Sequence, residues 1–255
     1  MRRDHMNRIS LLLVFGFVIF ATSGVYAAPI VYGNFPAATV DYLGVQEESV
    51  SDPGLGLFGP PTIAGDTMDF NPQAFAATTT GPAADTTDSN LQFMVKAHAG
   101  QAIGAIQFAE AGDTTLAGLA GEAQTTVGTV ITGEIAELNI AGVLTPVSIN
   151  LPQITMGFAP KNDFKLSVDG AGTIGWTGAA IMNLVPQGLV TKVNISLDNA
   201  LTAASVVGTS AHIQKKDADA LVITTSTTPI IPEPASAAIA MIALALGSAV
   251  SRRRK

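Results

Sequence analysis

Between residues 28 and 229, hydrophobic and polar residues alternate in short runs that are typical of β-strands. Thr and other β-branched residues are frequent in these runs, and Gly, Pro, Asn and Asp separate them. No stretch keeps a 3.6-residue period over three turns, so no long helix is expected in this region. The pattern predicts an all-β fold, a single β-sandwich of jelly-roll type over residues 28–223. Strands are expected at 39–45, 91–97, 103–109, 125–131, 143–150, 164–168, 173–179, 189–197 and 220–225.

Segments rich in turn-forming residues lie between these strands. Turns are expected at 97–101 and 110–113, where small and polar residues cluster. Residues 49–82 contain several Pro and Gly pairs and predict a long loop with one short strand near Thr67–Phe70. A domain boundary near 111–124 is an alternative, although it would leave two small pieces. Residues 224–230 are rich in Thr and predict a polar linker after the domain.

The amino-terminal end has the pattern of an export signal. Three arginines within the first eight residues precede an apolar run at 9–20, and small residues follow up to Ala27, Ala28 and Pro29. This order predicts a helical secretory signal peptide over 1–27 that is cleaved between Ala27 and Ala28. An uncleaved membrane anchor is the alternative, but the apolar run is short for a span of ~20 residues.

The carboxy-terminal end combines a proline-rich tripeptide, an apolar run at 235–250 and a basic terminus. Because proline fixes φ and restricts the residue before it, the tripeptide is expected to be extended and rigid. The apolar run would form a helix of about 24 Å, which is shorter than a ~30 Å hydrocarbon core. The basic end would stay in the cytoplasm, so the body is expected outside the membrane. The tripeptide is Pro232-Glu233-Pro234, and the basic end is Arg252-Arg253-Arg254-Lys255.

These three parts, in this order and behind an export signal, resemble the PEP-CTERM sorting signal. The resemblance covers residues 231–255, and a looser one to the bodies of other PEP-CTERM proteins covers residues 34–72. It implies processing by exosortase, an integral-membrane cysteine protease-transpeptidase of Gram-negative bacteria. It also implies that Glu233 and its two prolines are processing-site residues, and that the precursor is held transiently in the inner membrane. An ordinary C-terminal anchor is the alternative interpretation.

Composition and charge exclude several classes of protein. The chain has no cysteine, which rules out disulfides, thiolate catalysis and Cys-ligated metals. Between residues 28 and 231, six lysines and no arginine stand against 18 acidic residues, a balance of −12. Because binding to a phosphate backbone needs clustered basic residues, we expect no nucleic-acid partner.

The body offers few residues for metal chemistry. His98 and His212 could hold a metal only together with carboxylates, and isolated surface histidines are the alternative. Calcium is the candidate cofactor, because carboxylate oxygens beside loops suit this ion. Hydrogen bonding of Asp within turns is the competing explanation for the same residues. The calcium candidates are Asp66, Asp69, Asp85 and Asp88.

The favoured functional hypothesis is a structural or interaction protein of the bacterial cell surface or extracellular matrix, without enzymatic activity. The first alternative is a module that binds exopolysaccharide, for which bound calcium could provide support. Trp176, flanked by small residues, is its candidate sugar platform, although core packing is the more common role of such a residue. The second alternative is a secreted hydrolase, for which we find no Gly-x-Ser-x-Gly motif.

Overall fold

The computed structural model describes residues 28–72, 74–119, 121–216 and 220–231. These residues are mostly β, in one large, nearly closed antiparallel sheet, which confirms the all-β prediction. The long strands alternate buried and exposed positions, as expected where one face of a sheet covers a core and the other meets solvent. No helix in this part of the chain is long and apolar enough to cross a membrane. The predicted helices within 1–27 and 235–250 lie outside the described residues.

Sixteen strands and one short α-helix make up the described secondary structure, together with a single 3-10 turn at Val185–Gln187. The strands are β1 Ile30–Pro36, β2 Val40–Glu48, β3 Thr62–Ala64, β4 Thr67–Phe70, β5 Ala76–Thr80, β6 Ala83–Ala97, β7 Gln101–Gly118, β8 Ala123–Ile140, β9 Val143–Asn150, β10 Ile154–Thr155, β11 Gly157–Ala159, β12 Asp163–Lys165, β13 Gly172–Asn183, β14 Val190–Ser205, β15 Thr209–Lys215 and β16 Leu221–Pro229, and the helix α1 is Leu166–Asp169.

The sheet has two parts, each built around one long strand. In the first part, β14 pairs along most of its length with β6 and β8, and β2 and β9 extend these neighbours outward. In the second part, β7 pairs with β13 along one side and with β16 and β15 along the other. A single bridge between Val190 and Ile103 joins β14 to β7.

Buried side-chain hydrogen bonds show that the two parts face each other. Thr129 of β8 donates to Glu110 of β7 over 2.9 Å, and Ser205 of β14 donates to Thr79 of β5 over 3.0 Å. The main hydrophobic core lies between the two faces and is continuous from Val40 to Ile223. The polar residues that share this interior are therefore held between two layers of strands, away from water.

The structure corrects three local predictions. Residues 110–113, expected to be a turn, lie within β7. The alternative boundary at 111–124 covers the end of β7 and the start of β8. Residues 164–168, expected to be a strand, divide between β12 and α1. Residues 49–82 contain the predicted strand Thr67–Phe70 with those bounds, but also the unpredicted β3 and β5.

The predicted linker at 224–230 is also wrong, because most of it is the second half of β16. Residues up to Pro229 pair with β7, and Thr225 is buried while Ser226 points outward. The Thr225 hydroxyl lies 2.9 Å from the hydroxyl of Tyr42, which is fully buried. A Thr-rich segment resembles a linker by composition, yet its alternation suits a strand that covers the core.

We expect Thr225→Lys to destabilise the protein and Ser226→Lys to be tolerated. The first change places a charge beside Tyr42 without a partner, which costs about 3 kcal/mol or more. The second places the same charge one residue further on, at the outer face. Urea unfolding of both variants measures this difference. Equal stability of the two would contradict the pairing of β16 with β7.

Candidate functional site

The residues of the predicted sorting signal lie outside the described structure. Pro232, Glu233, Pro234 and the three arginines Arg252, Arg253 and Arg254 lie outside the described residues, as does Ala27. Ala28 is described and is exposed at the start of the domain. Their proposed roles in processing and signal cleavage therefore stay predictions.

The four calcium candidates lie on β4, on β6 and in the turn before β4. Asp66 accepts hydrogen bonds from both the backbone N–H and the hydroxyl of Thr39, each over 2.6 Å. Asp85 and Asp88, expected beside a loop, are on β6 and accept from the backbone N–H groups of Thr78 and Ser51. Among the described residues, no three Asp, Glu or His side chains form a group that could hold a metal ion. Asp69 lies on β4. Calcium binding stays a hypothesis, and the contacts seen tie strands to neighbouring segments.

The two histidines have unrelated surroundings. His98 lies in the turn between β6 and β7, where Nε2 is 3.0 Å from a carboxylate oxygen of Asp41. His212 lies on β15, where Nδ1 is 2.7 Å from the Thr78 hydroxyl. They share no partner in the described structure, and no group of metal-ligating side chains there includes both.

Trp176 is buried inside the domain and does not present a ring face to solvent. Only 2% of the residue is exposed, and its ring packs edge-on against Phe158 with centroids 5.9 Å apart. The alternative of an open sugar platform at this residue is therefore wrong. Its indole ring instead lies beside a charged group that is buried in the core.

That group is a lysine paired with a glutamate in the core. Nζ of Lys215, at the end of β15, lies 2.7 Å from Oε2 of Glu110 on β7, and both side chains are fully inaccessible to solvent. Charged side chains are almost never buried this completely unless they are paired, because removal from water is expensive. This buried ion pair is thus the strongest candidate for a functional site within the domain.

Three aromatic rings surround the ammonium group. Its nitrogen lies 5.4 Å from the ring centroid of Phe75, 5.7 Å from that of Trp176 and 5.9 Å from that of Phe58. Rings at these distances attract a cation through their negative faces and exclude water at the same time. The amine therefore has one carboxylate and an aromatic enclosure.

A chain of polar contacts leads from the ion pair to the opposite layer. The hydroxyl of Thr129 on β8 contacts Oε2 of Glu110 at 2.9 Å and Oδ1 of Asn199 on β14 at 2.8 Å. Within the described structure, Oε1 of Glu110 and Nδ2 of Asn199 have no hydrogen-bond partner, although both atoms are buried. We call Lys215, Glu110, Thr129, Asn199 and the three rings the lysine cluster.

A glutamate on β2 holds the loop that carries one ring of the aromatic enclosure. The carboxylate of Glu47 on β2 accepts hydrogen bonds from the backbone N–H groups of Leu57 and Phe58 and so fixes the loop that carries the Phe58 ring. Burial raises the pKa of Glu47, opposed chiefly by the hydrogen bond from Phe58. Glu47 is therefore a second buried carboxylate, and it positions the Phe58 ring of the cluster.

The electrostatics of the cluster favour a less basic amine. Burial lowers the pKa of Lys215, because the charged form loses its hydration, while the nearby Glu110 carboxylate opposes this shift. The arrangement brings a desolvated amine, a carboxylate and a carboxamide into one dry compartment. These are the groups needed to move a proton between nitrogen and oxygen atoms without bulk water.

The outer face of the first layer carries a different polar surface. A groove of about 420 Å³ is lined by Gln92, Glu134, Asn150, Asn194 and Ser196 among others. Beside it, side-chain amides bond one another, with Gln92 donating to Asn90 over 2.7 Å and Gln46 donating to Gln92 over 3.2 Å. This surface, called the amide groove below, offers many hydrogen-bonding groups without an exposed aromatic ring.

Sequence reasoning missed the lysine cluster, although a signal for it is present. In β15, Thr209, Ala211 and Ile213 occupy inward positions at every second residue, and the same period places Lys215 inward. In β7, Ile106 and Phe108 likewise place Glu110 inward. A charge at an inward strand position identifies a buried pair only when the strand is assigned to its full length.

Comparisons with known proteins identify no family for this chain. No family model matches it, and no curated protein matches it. Among solved structures, the enzymatically active domain of bacteriophage CBA120 tailspike protein 4 aligns with 74% of this chain and 19% of its own, at 13% identity and a TM-score of 0.19. The VP2 subviral particle of infectious bursal disease virus aligns with 76% of this chain and 52% of its own, at 11% identity and a TM-score of 0.14. The chain thus spans about a fifth of the tailspike domain and about half of the VP2 chain. Likenesses this weak carry no conclusion about its fold or function.

We expect Gly112→Ala to destabilise the domain and Gly128→Ala to leave it almost unchanged. A Cβ at Gly112 would collide with the carbonyl of Gln214 and with the indole of Trp176, whereas one at Gly128 meets nothing within 4 Å. Overpacking of this kind costs about 2 kcal/mol or more, while the control change stays within about 1 kcal/mol. Thermal unfolding of both variants measures the difference. Equal melting temperatures would contradict the packing of Trp176 against β7.

Proposed function

We propose that the protein is an exported structural or interaction protein of the Gram-negative cell surface. In this proposal, the signal peptide directs export, the C-terminal segment anchors the precursor in the inner membrane, and exosortase processes it near Pro232-Glu233-Pro234. The observation that carries the proposal is the order of tripeptide, apolar run and arginines behind an export signal. The body would then act outside the cell, without enzymatic activity.

The described body is compatible with this role and supports it indirectly. We infer that its two facing layers form the β-sandwich expected from the sequence. The balance of −12 between residues 28 and 231 disfavours a nucleic-acid partner. Much of the chain is held in strands whose inward residues form a continuous core, a design that suits a protein exposed to proteases.

The second candidate function is binding of exopolysaccharide, and the amide groove favours it. Carboxamide and hydroxyl groups in a shallow groove can donate and accept hydrogen bonds with sugar hydroxyls. Asn194, Gln92 and Glu134 lie on neighbouring strands, so they can contact one ligand together. This function is compatible with the first, because a matrix protein can be retained through polysaccharide.

Glu233→Ala is expected to block processing. The variant keeps the apolar run and the arginines but removes the carboxylate between the two prolines, so full-length precursor should accumulate in the inner membrane. Ser236→Ala, three residues further on, serves as the matched control. Immunoblots of membrane and extracellular fractions measure both forms. Unchanged release of the mature form by Glu233→Ala would contradict processing at this tripeptide.

The paired change Gln92→Ala with Asn194→Ala is expected to weaken retention on the host's exopolysaccharide, because it removes two carboxamides from the amide groove. Gln107→Ala, an exposed glutamine on β7 in the other layer, is the control. Co-sedimentation of purified protein with the polysaccharide measures retention. If the paired variant and the control are retained as well as the unmodified protein, the groove does not bind it.

A further inference from the structure

The lysine cluster places an amine, a carboxylate and a carboxamide together in a site closed to solvent. Lys215 Nζ contacts Glu110 Oε2 at 2.7 Å, and the Thr129 hydroxyl connects the same oxygen to Asn199 Oδ1. Asn199 is 1% exposed, and its Nδ2 has no hydrogen-bond partner among the described residues. A buried amide nitrogen without a partner is costly and calls for an explanation.

We propose that Lys215 and Asn199 react to form an intramolecular amide bond between their side chains, with Glu110 carrying the protons. The bond would join Nζ of Lys215 to Cγ of Asn199 and release the Nδ2 nitrogen as ammonia. Its two ends lie on β15 and β14, which belong to different layers, so the cross-link would tie the layers together through the core. This proposal does not depend on the proposed function.

The step balances in atoms and charge and needs no oxidant, metal or cofactor. Glu110 takes a proton from the Lys215 ammonium, and the neutral nitrogen attacks Cγ of Asn199. Glu110 then protonates Nδ2 in the tetrahedral intermediate, the Cγ–Nδ2 bond breaks, and ammonia departs with the remaining extra proton as ammonium. The products are one amide, one ammonium ion and the restored carboxylate.

The surroundings favour each part of this step. The aromatic rings exclude water. Water would stabilise the ammonium form of Lys215, which has no free electron pair and cannot attack. Burial lowers the pKa of Lys215, which increases the share of the neutral amine. At rest, Oε2 of Glu110 accepts the single hydroxyl proton of Thr129. Once Glu110 has taken a proton from Lys215, the Thr129 hydroxyl can donate to Oδ1 of Asn199 instead, as negative charge develops on that oxygen.

The reaction requires the Lys215 side chain to change its conformation. Nζ now contacts Oε2 of Glu110 and must leave it to approach Cγ of Asn199. The Thr129 hydroxyl lies between these two groups, because it contacts both Oε2 of Glu110 and Oδ1 of Asn199. Lys215 has four flexible side-chain bonds, and its neighbours in the enclosure are apolar rings that do not hold Nζ by hydrogen bonds. Preorganised groups in a closed site can make an amine and an amide react that do not do so in water.

The test is mass spectrometry of the folded full-length protein. Trypsin cleaves after Lys192, so Asn199 and Lys215 fall in one peptide. The proposal predicts that this peptide is lighter by one ammonia molecule, that cleavage after Lys215 is lost and occurs after Lys216 instead, and that fragmentation between residues 199 and 215 yields no separate ions. A folded protein whose peptide has the unmodified mass and is cleaved after Lys215 would overturn the proposal.

Variants separate the cross-link from other ways of losing ammonia. A cyclic imide at Asn199 would give the same loss of mass, but it would persist in Lys215→Met, whereas the cross-link must disappear there. Glu110→Gln should also abolish the mass loss. Thr202→Ala, at an outward position of β14, the strand that carries Asn199, should retain it. Circular dichroism establishes that each variant is folded. Mass loss that persists in folded Lys215→Met overturns the bond, and loss that persists in folded Glu110→Gln overturns the proton carrier.

Discussion

The burial of Lys215 opposite Glu110 is the constraint around which the interior of this domain is arranged. Moving each charge out of water costs several kcal/mol, and a pair in the core is stable only when its geometry is good and its remaining polar atoms are satisfied. Here the ammonium group has a carboxylate at 2.7 Å and three aromatic faces within 6 Å. Oε2 of Glu110 in turn accepts from the Thr129 hydroxyl, whereas Oε1 has no hydrogen-bond partner among the described residues, so the pair is only partly satisfied.

Several features elsewhere in the fold follow from this constraint. Gly112 leaves room for the indole of Trp176 to cover the amine, and any larger residue would displace it. Glu47 fixes the loop that brings Phe58 to the enclosure, although its carboxylate is itself buried. The backbone N–H of Lys215 donates to the carbonyl of Phe75 over 3.0 Å, which joins β15 to the third ring. Residues distant in sequence thus converge on one amine.

The fold class was predictable from the sequence, but the candidate site was not. Alternation and frequent turn residues identify an all-β domain, because the period of two depends only on local geometry. The same local reasoning failed at two places. Gly112 is typical of a turn, but it lies within β7, where the lack of a side chain leaves room for the indole of Trp176. Thr225 lies on β16, although its segment resembles a linker by composition. The lysine cluster unites residues from β7, β8, β13, β14 and β15 with the segments that carry Phe58 and Phe75, and such long-range placement cannot be read from spacing alone. Conversely, the proposed sorting signal rests on the sequence alone, since its residues lie outside the described structure.

The central claim is that Lys215 is enclosed by the fold while its neighbour Lys216 faces solvent. Acylation of the native protein with an amine-reactive ester, followed by peptide mapping, tests this most directly. We expect rapid modification of Lys216 and of the exposed Lys96 in the folded protein, and none at position 215. Modification of Lys215 at the same rate as Lys216 in the folded protein would contradict the enclosure.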